Sequence, residues 1–162
     1  MAGASSWSFR EEHSHRINAI LSEFLRESGA RTALIVDRTG QMVATVGEVP
    51  SFDPTAFASL TAADFSANDQ LARMIGEPEF AALFHQGERE SMYLADVARR
   101  VILVVLFDNR TTLGLVKLRI KGAVTELARV FQEMFADGAP APRVETGFLG
   151  DAEDEIDRLF GA

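Results

Sequence analysis

The chain has 162 residues, 47% of them apolar and 25% charged, with a net charge of −8 and no cysteine. That length and apolar share support one domain with a single core and argue against wholesale disorder. Without cysteine there is neither a disulfide framework nor a thiolate metal site. The acidic balance disfavours a general nucleic-acid binder, which needs a basic face for phosphates. Residues 1–10 lack an apolar core of signal-peptide length, and no stretch nears the roughly 20 apolar residues of a membrane span. A cytoplasmic protein is expected.

Residues 1–8 read as a disordered N-terminus and 9–137 as the folded domain. Ser8 and Glu11 have the spacing of a capping box, in which each side chain satisfies a free N–H at a helix start. His13, Ile17, Ile20, Leu21 and Phe24 then recur at helical spacing until Gly29. Residues 32–36 (TALIV) form a β-rich run, Asp37-Arg38-Thr39-Gly40 a turn, and residues 41–46 a returning strand, which together predict a hairpin. Asp53-Pro54 is a strong helix start, because Asp accepts from the first turn and Pro there loses no hydrogen bond. This second helix should run to about Ile75 and stop at Gly76. Residues 80–86, 91–97 and 101–108 read as three strands, broken at Gly87-Glu88 and Ala98-Arg99-Arg100. The last of them, VILVVLF before Asp108, is apolar at every position, which requires helices on both faces of the sheet.

A final long helix should begin near Thr111 or Thr112, with Leu113, Val116, Ile120, Val124, Leu127, Phe131 and Met134 on one stripe. Residues 138–150, with Gly138, Pro140, Pro142 and Gly147, read as a flexible linker. Residues 151–162 form an acidic tail in which Asp151, Glu153, Asp154, Glu155 and Asp157 face only Arg158, so the tail carries half of the net charge. Ala152, Ile156, Leu159 and Phe160 would share one side of a helix there. The fold class that follows is α/β (α+β): α-ββ-α-βββ-α, a five-stranded, mostly antiparallel sheet between helix layers, plus a C-terminal helical tail.

Nothing in the chain spells out catalysis. No glycine-rich phosphate loop is present, Gly114 and Gly122 being isolated. His13, His15 and His85 lack ligand spacing for a metal. Asp108, at the end of a buried strand, is a cap more readily than a base. In the second helix, Phe57, Leu60, Ala67, Leu71 and Met74 gather on one side and are expected to meet the sheet. The opposite side, with Thr55, Ala58, Ser59, Ala62 and Ser66 and then Asp69 and Arg73, is small enough for a second protein to approach closely. Phe65 projects off the core stripe there, either as an exposed anchor or folded onto a neighbouring loop. Asp64 falls within the apolar stripe and needs a partner if buried. The tail is too short to hold a helix alone in water, so Ile156, Leu159 and Phe160 must dock, either on the chain's own domain or in a partner's groove.

Several stretches resemble the roadblock (dynein light chain type) domain family, and in particular its MglB-like GTPase-activating branch. They are Ser59-Leu60-Thr61-Ala62, Ile75-Gly76-Glu77 with Phe80, and Phe84-His85-Gln86-Gly87-Glu88. The most specific is residues 101–121, VILVVLFDNRTTLGLVKLRIK; the ending DAEDEIDRLFGA is also similar, so the likeness spans about residues 12 to 160.

The resemblance implies a homodimer joined at its edge strands, with the paired second helices forming a platform for a small Ras-like GTPase (MglA-like). Such a regulator stimulates GTP hydrolysis by remodelling the partner's active site rather than by inserting an arginine. The catalytic residues then lie on the partner, and this chain needs no catalytic residue, cofactor or metal of its own. The platform would carry Ser59, Ala62, Ala63, Phe65, Ser66, Ala67, Asp69, Gln70 and Arg73. The tail would dock through Ile156, Leu159 and Phe160 and assist nucleotide exchange. The setting implied is cell polarity and motility, in the cytoplasm and concentrated at a cell pole. One departure is Asn68-Asp69-Gln70, where the family tends to small residues; bulkier polar groups there would weaken docking or change the client. Two other readings stay open: a dimeric scaffold that binds a GTPase or polarity protein without stimulating hydrolysis, and a small-ligand sensor, which the bulky apolar stripes disfavour.

Overall fold

Strand β5 (Val101–Asp108) is buried along almost its whole length and occupies the centre of the sheet. A computed structural model describes residues 11–137 of the chain. Ser8, the linker 138–150 and the tail 151–162 lie outside the described residues. Around β5 the remaining elements are α1 (Glu11–Ser28), β1 (Thr32–Asp37), β2 (Met42–Gly47), α2 (Pro54–Met74), β3 (Ala82–Gln86), β4 (Glu90–Val97) and α3 (Leu113–Asp137). The sheet order is β2-β1-β5-β4-β3, and each neighbouring pair is antiparallel.

Side chains alternate across a strand, so a strand apolar at every position feeds two cores. Leu103 and Val105 of β5 join Ala33 and Ile35 of β1 under α1 and α3, with Ile17, Leu21, Phe24, Val116, Leu127 and Phe131 as the helical partners. Ile102 and Val104 join Leu34, Val36 and Leu94 on the opposite face, under α2. Two helices therefore cover one face and a single helix the other. Among the described residues no helix is long and apolar enough to cross a membrane.

The element ends follow local chemistry. The Asp53 carboxylate accepts from the Ala56 N–H at 3.1 Å, and Pro54 opens α2. At its other end Gly76 takes a left-handed φ of 89°, and the N–H of Glu77 reaches back to the Ala72 carbonyl at 2.9 Å. Thr112 Oγ1 accepts from the Leu115 N–H at 3.2 Å and so caps α3. Limits of four strands differ from the sequence reading, β1 running on by one residue to Asp37. β2 begins at Met42 and ends at Gly47, because a register shift opposite Val36 displaces the start of the pairing. β3 begins at Ala82 rather than Phe80, since its register on β4 ends at Ala82↔Ala95, just before β4 turns into β5. β4 gains Glu90, which pairs opposite Asp108.

The β1–β2 turn is built tightly. Buried Asp37 accepts through Oδ1 from the Thr39 N–H (3.0 Å), the Thr39 hydroxyl (2.7 Å) and the Gln41 N–H (2.9 Å). Gly40 closes the turn at φ 96°, and a Cβ there would stand 3.2 Å from the Ser59 Cα of α2. The turn and α2 thus approach backbone to backbone. Gly40→Ala meets both the left-handed φ and the close approach, and is expected to cost on the order of 2 kcal/mol. A thermal unfolding midpoint lowered by several degrees would show it; an unchanged midpoint would mean that the turn and α2 are not held this close.

Candidate partner-binding site

α2 presents to the sheet Ala58, Thr61, Ala62, Phe65, Asn68 and Ala72. Phe65 is only 1% exposed and packs among Leu34, Val36, Leu94, Ile102 and Val104. Leu60, Leu71 and Met74 point the other way and are 71%, 57% and 82% exposed. The helix is therefore turned by about a third of a revolution from the expected orientation. Of the stripe expected to meet the sheet, only Phe57 packs, half-buried and stacked on Phe52 at 4.2 Å between ring centroids. Phe65 is not an exposed anchor; it is the one large side chain in a layer of alanines. A helix lying close on a sheet has room for small residues and one well-placed ring, but not for a row of Leu and Met.

This inversion resolves the position of Asp64. The carboxylate stands at the edge of an apolar stripe that faces outward, so it is not buried without a partner. Asp64 Oδ2 lies 2.7 Å from His85 Nε2 on β3, and both side chains remain partly exposed. That pair ties α2 to the outermost strand of the sheet. An acid inside an apolar run was the signal in the sequence that the run looks away from the core.

On the other flank of α2 lies a cleft of about 310 Å³, lined by Arg38, Ala62, Ser66, Asp69, Arg73, Glu79 and Arg99. Its floor follows from the Asp37 turn, which aims Arg38 across α2. The guanidinium lies over the Phe65 ring at 4.9 Å and pairs with Asp69 at 3.0 Å and with Asp96. Asp96 also accepts from the Arg99 N–H at 3.1 Å, holding the three-residue turn Ala98-Arg99-Arg100, in which Ala98 (φ 53°) and Arg99 (φ 57°) are both left-handed without glycine. Arg99 then reaches Glu79 at 3.0 Å. Arg73 is exposed and has no ion-pair partner among the described residues. Arg38 Nε, Asn68 Nδ2 and Asp69 Oδ1 are buried without a hydrogen-bond partner there, at about 1–3 kcal/mol for each such group.

The residues expected on the platform thus separate. Ala63, Ala67 and Gln70 are exposed beside Leu60, Leu71 and Met74 on the outer face. Ser59, Ser66 and Arg73 are exposed toward the cleft side, where Asp69 is half-buried in its ion pair. Ala62 and Phe65 belong to the protomer's own core. Of the departure Asn68-Asp69-Gln70, only Gln70 stands on the outer face, since Asn68 is buried and Asp69 is held by Arg38. The sequence reading missed Leu60, Leu71 and Met74 as outward-facing residues.

Residues 16–107 match the family model of the Roadblock/LC7 domain. The chain belongs to the Roadblock/LC7 domain family. Among solved structures it is similar to Myxococcus xanthus MglB, at 44% identity and a TM-score of 0.70 over 73% of this chain and 96% of that one. It is also similar to the gliding protein MglB from Thermus thermophilus, at 36% identity and 0.72, over 77% and 95%. An MglB solved in a tetrameric arrangement matches at 36% identity and 0.72, over 77% and 94%. The five-stranded antiparallel sheet with helices on both faces is the roadblock fold.

Other polar residues of this roadblock domain have structural positions. Asp108 accepts from the Arg110 N–H at 3.0 Å and from its Nε at 2.9 Å, and the guanidinium holds the carboxyl below the usual carboxylate range. Such a carboxylate is a poor base. His13 is buried on the inner face of α1, His15 is exposed, and His85 pairs with Asp64. The orientation of α2 can be checked directly. Phe65→Ala should cost about 3–5 kcal/mol, whereas Leu60→Ala and Leu71→Ala should alter the stability of an isolated protomer by less than about 0.5 kcal/mol. Denaturant unfolding at low protein concentration reads both, and the reverse ranking would restore the expected orientation.

Proposed function

We propose that this roadblock protein regulates a small Ras-like GTPase (MglA-like), stimulating GTP hydrolysis by remodelling the partner's active site. The observation that carries the reading is the outer face of α2. Leu60, Leu71 and Met74 are exposed although the core beneath α2 is already filled by Phe65 and its neighbours. Bulky aliphatic side chains left outside a complete core are a docking surface rather than packing. Ala63 and Ala67 between them allow close approach, and the cleft with Arg38, Asp69 and Arg73 supplies a polar rim.

Two copies would join through the free edge of β3, bringing two α2 faces together as one platform across a two-fold axis. The 44% identity to Myxococcus xanthus MglB supports the choice of partner. On this reading the chain supplies shape and the GTPase supplies the reacting groups, so the regulator is not itself an enzyme. The tail, through Ile156, Leu159 and Phe160, would engage a second site on the GTPase and assist nucleotide exchange. The setting is cell polarity and motility, in the cytoplasm and at a cell pole.

Single-turnover hydrolysis by an MglA-like GTPase, with and without the full-length chain, is the deciding measurement. Acceleration that Leu71→Asp abolishes is expected. Co-purification with unchanged hydrolysis would replace the proposal with a non-stimulating scaffold. Arg73 gives a second check, being the exposed arginine of the cleft without an ion pair. Arg73→Ala should leave stimulation within a few-fold, whereas a loss of about 10³ or more would mark an inserted arginine and overturn the remodelling mechanism. Truncation after Gly150 should retain hydrolysis stimulation while slowing nucleotide release; unchanged release would remove the tail from exchange.

A further inference from the structure

Among the described residues, none covers the outer face of α3 around Leu118. Leu118 is 62% exposed and Leu115 36%. Gly114 and Gly122 lie one turn to either side of Leu118, on the same side of the helix. No atom stands within 4 Å of a Cβ built at Gly122, and at Gly114 the nearest is Thr112 Oγ1, at 4.0 Å. Nothing among the described residues requires glycine at Gly122, where it weakens the helix interior. Around this strip Lys117, Arg119 and Lys121 are exposed, and none has an ion-pair partner among the described residues. No acid occurs from Leu113 through Thr125, and none stands in the first turn of α3, the positive end of its dipole. The result is a narrow apolar strip inside an uncompensated positive field.

We propose that residues 151–162 of the same chain dock on this face of α3. The tail is the complement in both respects. It carries Asp151, Glu153, Asp154, Glu155 and Asp157 against one arginine, and Ile156, Leu159 and Phe160 at helical spacing. The tether is long enough. From Leu118 to the end of α3 at Asp137 is about 29 Å along the helix axis. Residues 138–150 can extend to roughly 43 Å, so the chain can double back along α3. A tether of this length puts the tail near its site at millimolar effective concentration, so even weak docking is populated. Gly122 lets the tail's backbone or Phe160 approach closely, and the basic residues flank its acids. Docked there, the tail hides its own apolar edge, and any partner that binds the tail must first displace it.

The test uses the full-length protein without any GTPase, so it stands or fails independently of the proposed function. The absence of cysteine makes Ala162→Cys a single attachment point for a nitroxide label. The expected result is selective paramagnetic loss of the backbone amide signals of residues 115–125. Lys117→Glu with Lys121→Glu should restore those signals, and adding Glu153→Lys with Asp157→Lys should remove them again. Lys117→Ser with Lys121→Ser serves as a second variant should charge reversal disturb the fold. The proposal is overturned if the label leaves these amides intact, or if their loss is indifferent to the charge substitutions. It is equally overturned if a mixture of labelled unenriched chains and unlabelled ¹⁵N chains shows the same loss, because the tail would then be reaching another copy.

Discussion

The structure depends on burying β5 from both sides. A strand of eight residues with VILVVLF in its first seven positions cannot lie on a sheet with a wet face, so helices must cover both. α1 and α3 cross one face as a pair, and the other receives α2 alone. That asymmetry has a consequence. A pair of helices covers its face with side chains of ordinary size, whereas the single helix lies close to the sheet on alanines with Phe65 between them.

Because α2 satisfies its face with small residues, its larger ones have nowhere to go but out. Leu60, Leu71 and Met74 form an apolar surface on an element already anchored at both ends, by the Asp53 cap and the Gly76 turn. This outer face is held in place by the core beneath it, since the helix cannot roll without withdrawing Phe65 from its contacts. Binding on it therefore demands little ordering of the protomer. The same anchoring fixes its two flanks. Asp64 and His85 bind one flank to the edge strand β3, and Arg38, reaching from the Asp37 turn to Asp69 and Asp96, binds the other to two hairpin turns. The polar cleft and the apolar outer face are thus parts of one scaffold, set by where Phe65 sits.

Charge is distributed on a different principle. Around the sheet ends, basic residues are matched locally: Arg31 with Glu48 and Glu90, Arg110 with Asp108 and Glu48, Arg99 with Glu79. Exposed pairs of this kind contribute little to stability, but they leave little net field. In the first half of α3, Lys117, Arg119 and Lys121 have no such partner among the described residues, and the acidic tail is their counterpart in the sequence. Long-range complementarity between unmatched segments is what a tethered contact needs, because a tether supplies proximity and leaves charge to supply register.

The sequence by itself determined the element order, the double burial of β5, the Asp53 and Gly76 limits of α2, and the family. The elements and their limits rest on local chemistry and on periodicities of two and 3.6, which a chain carries wherever it folds, and the family on the resemblance of stretches such as residues 101–121. It also singled out α2, but misassigned the side of that helix that meets the sheet. Hydrophobicity says which residues avoid water without saying whether their own sheet or another protein provides the shelter. Only the tertiary structure decided which side of α2 meets the sheet: Ala58, Phe65 and Ala72 are buried there, and Leu60, Leu71 and Met74 are left exposed. The Arg38 network was likewise invisible, because its members are separated by up to 58 residues and meet only when the Asp37 turn, α2 and the β4–β5 turn converge.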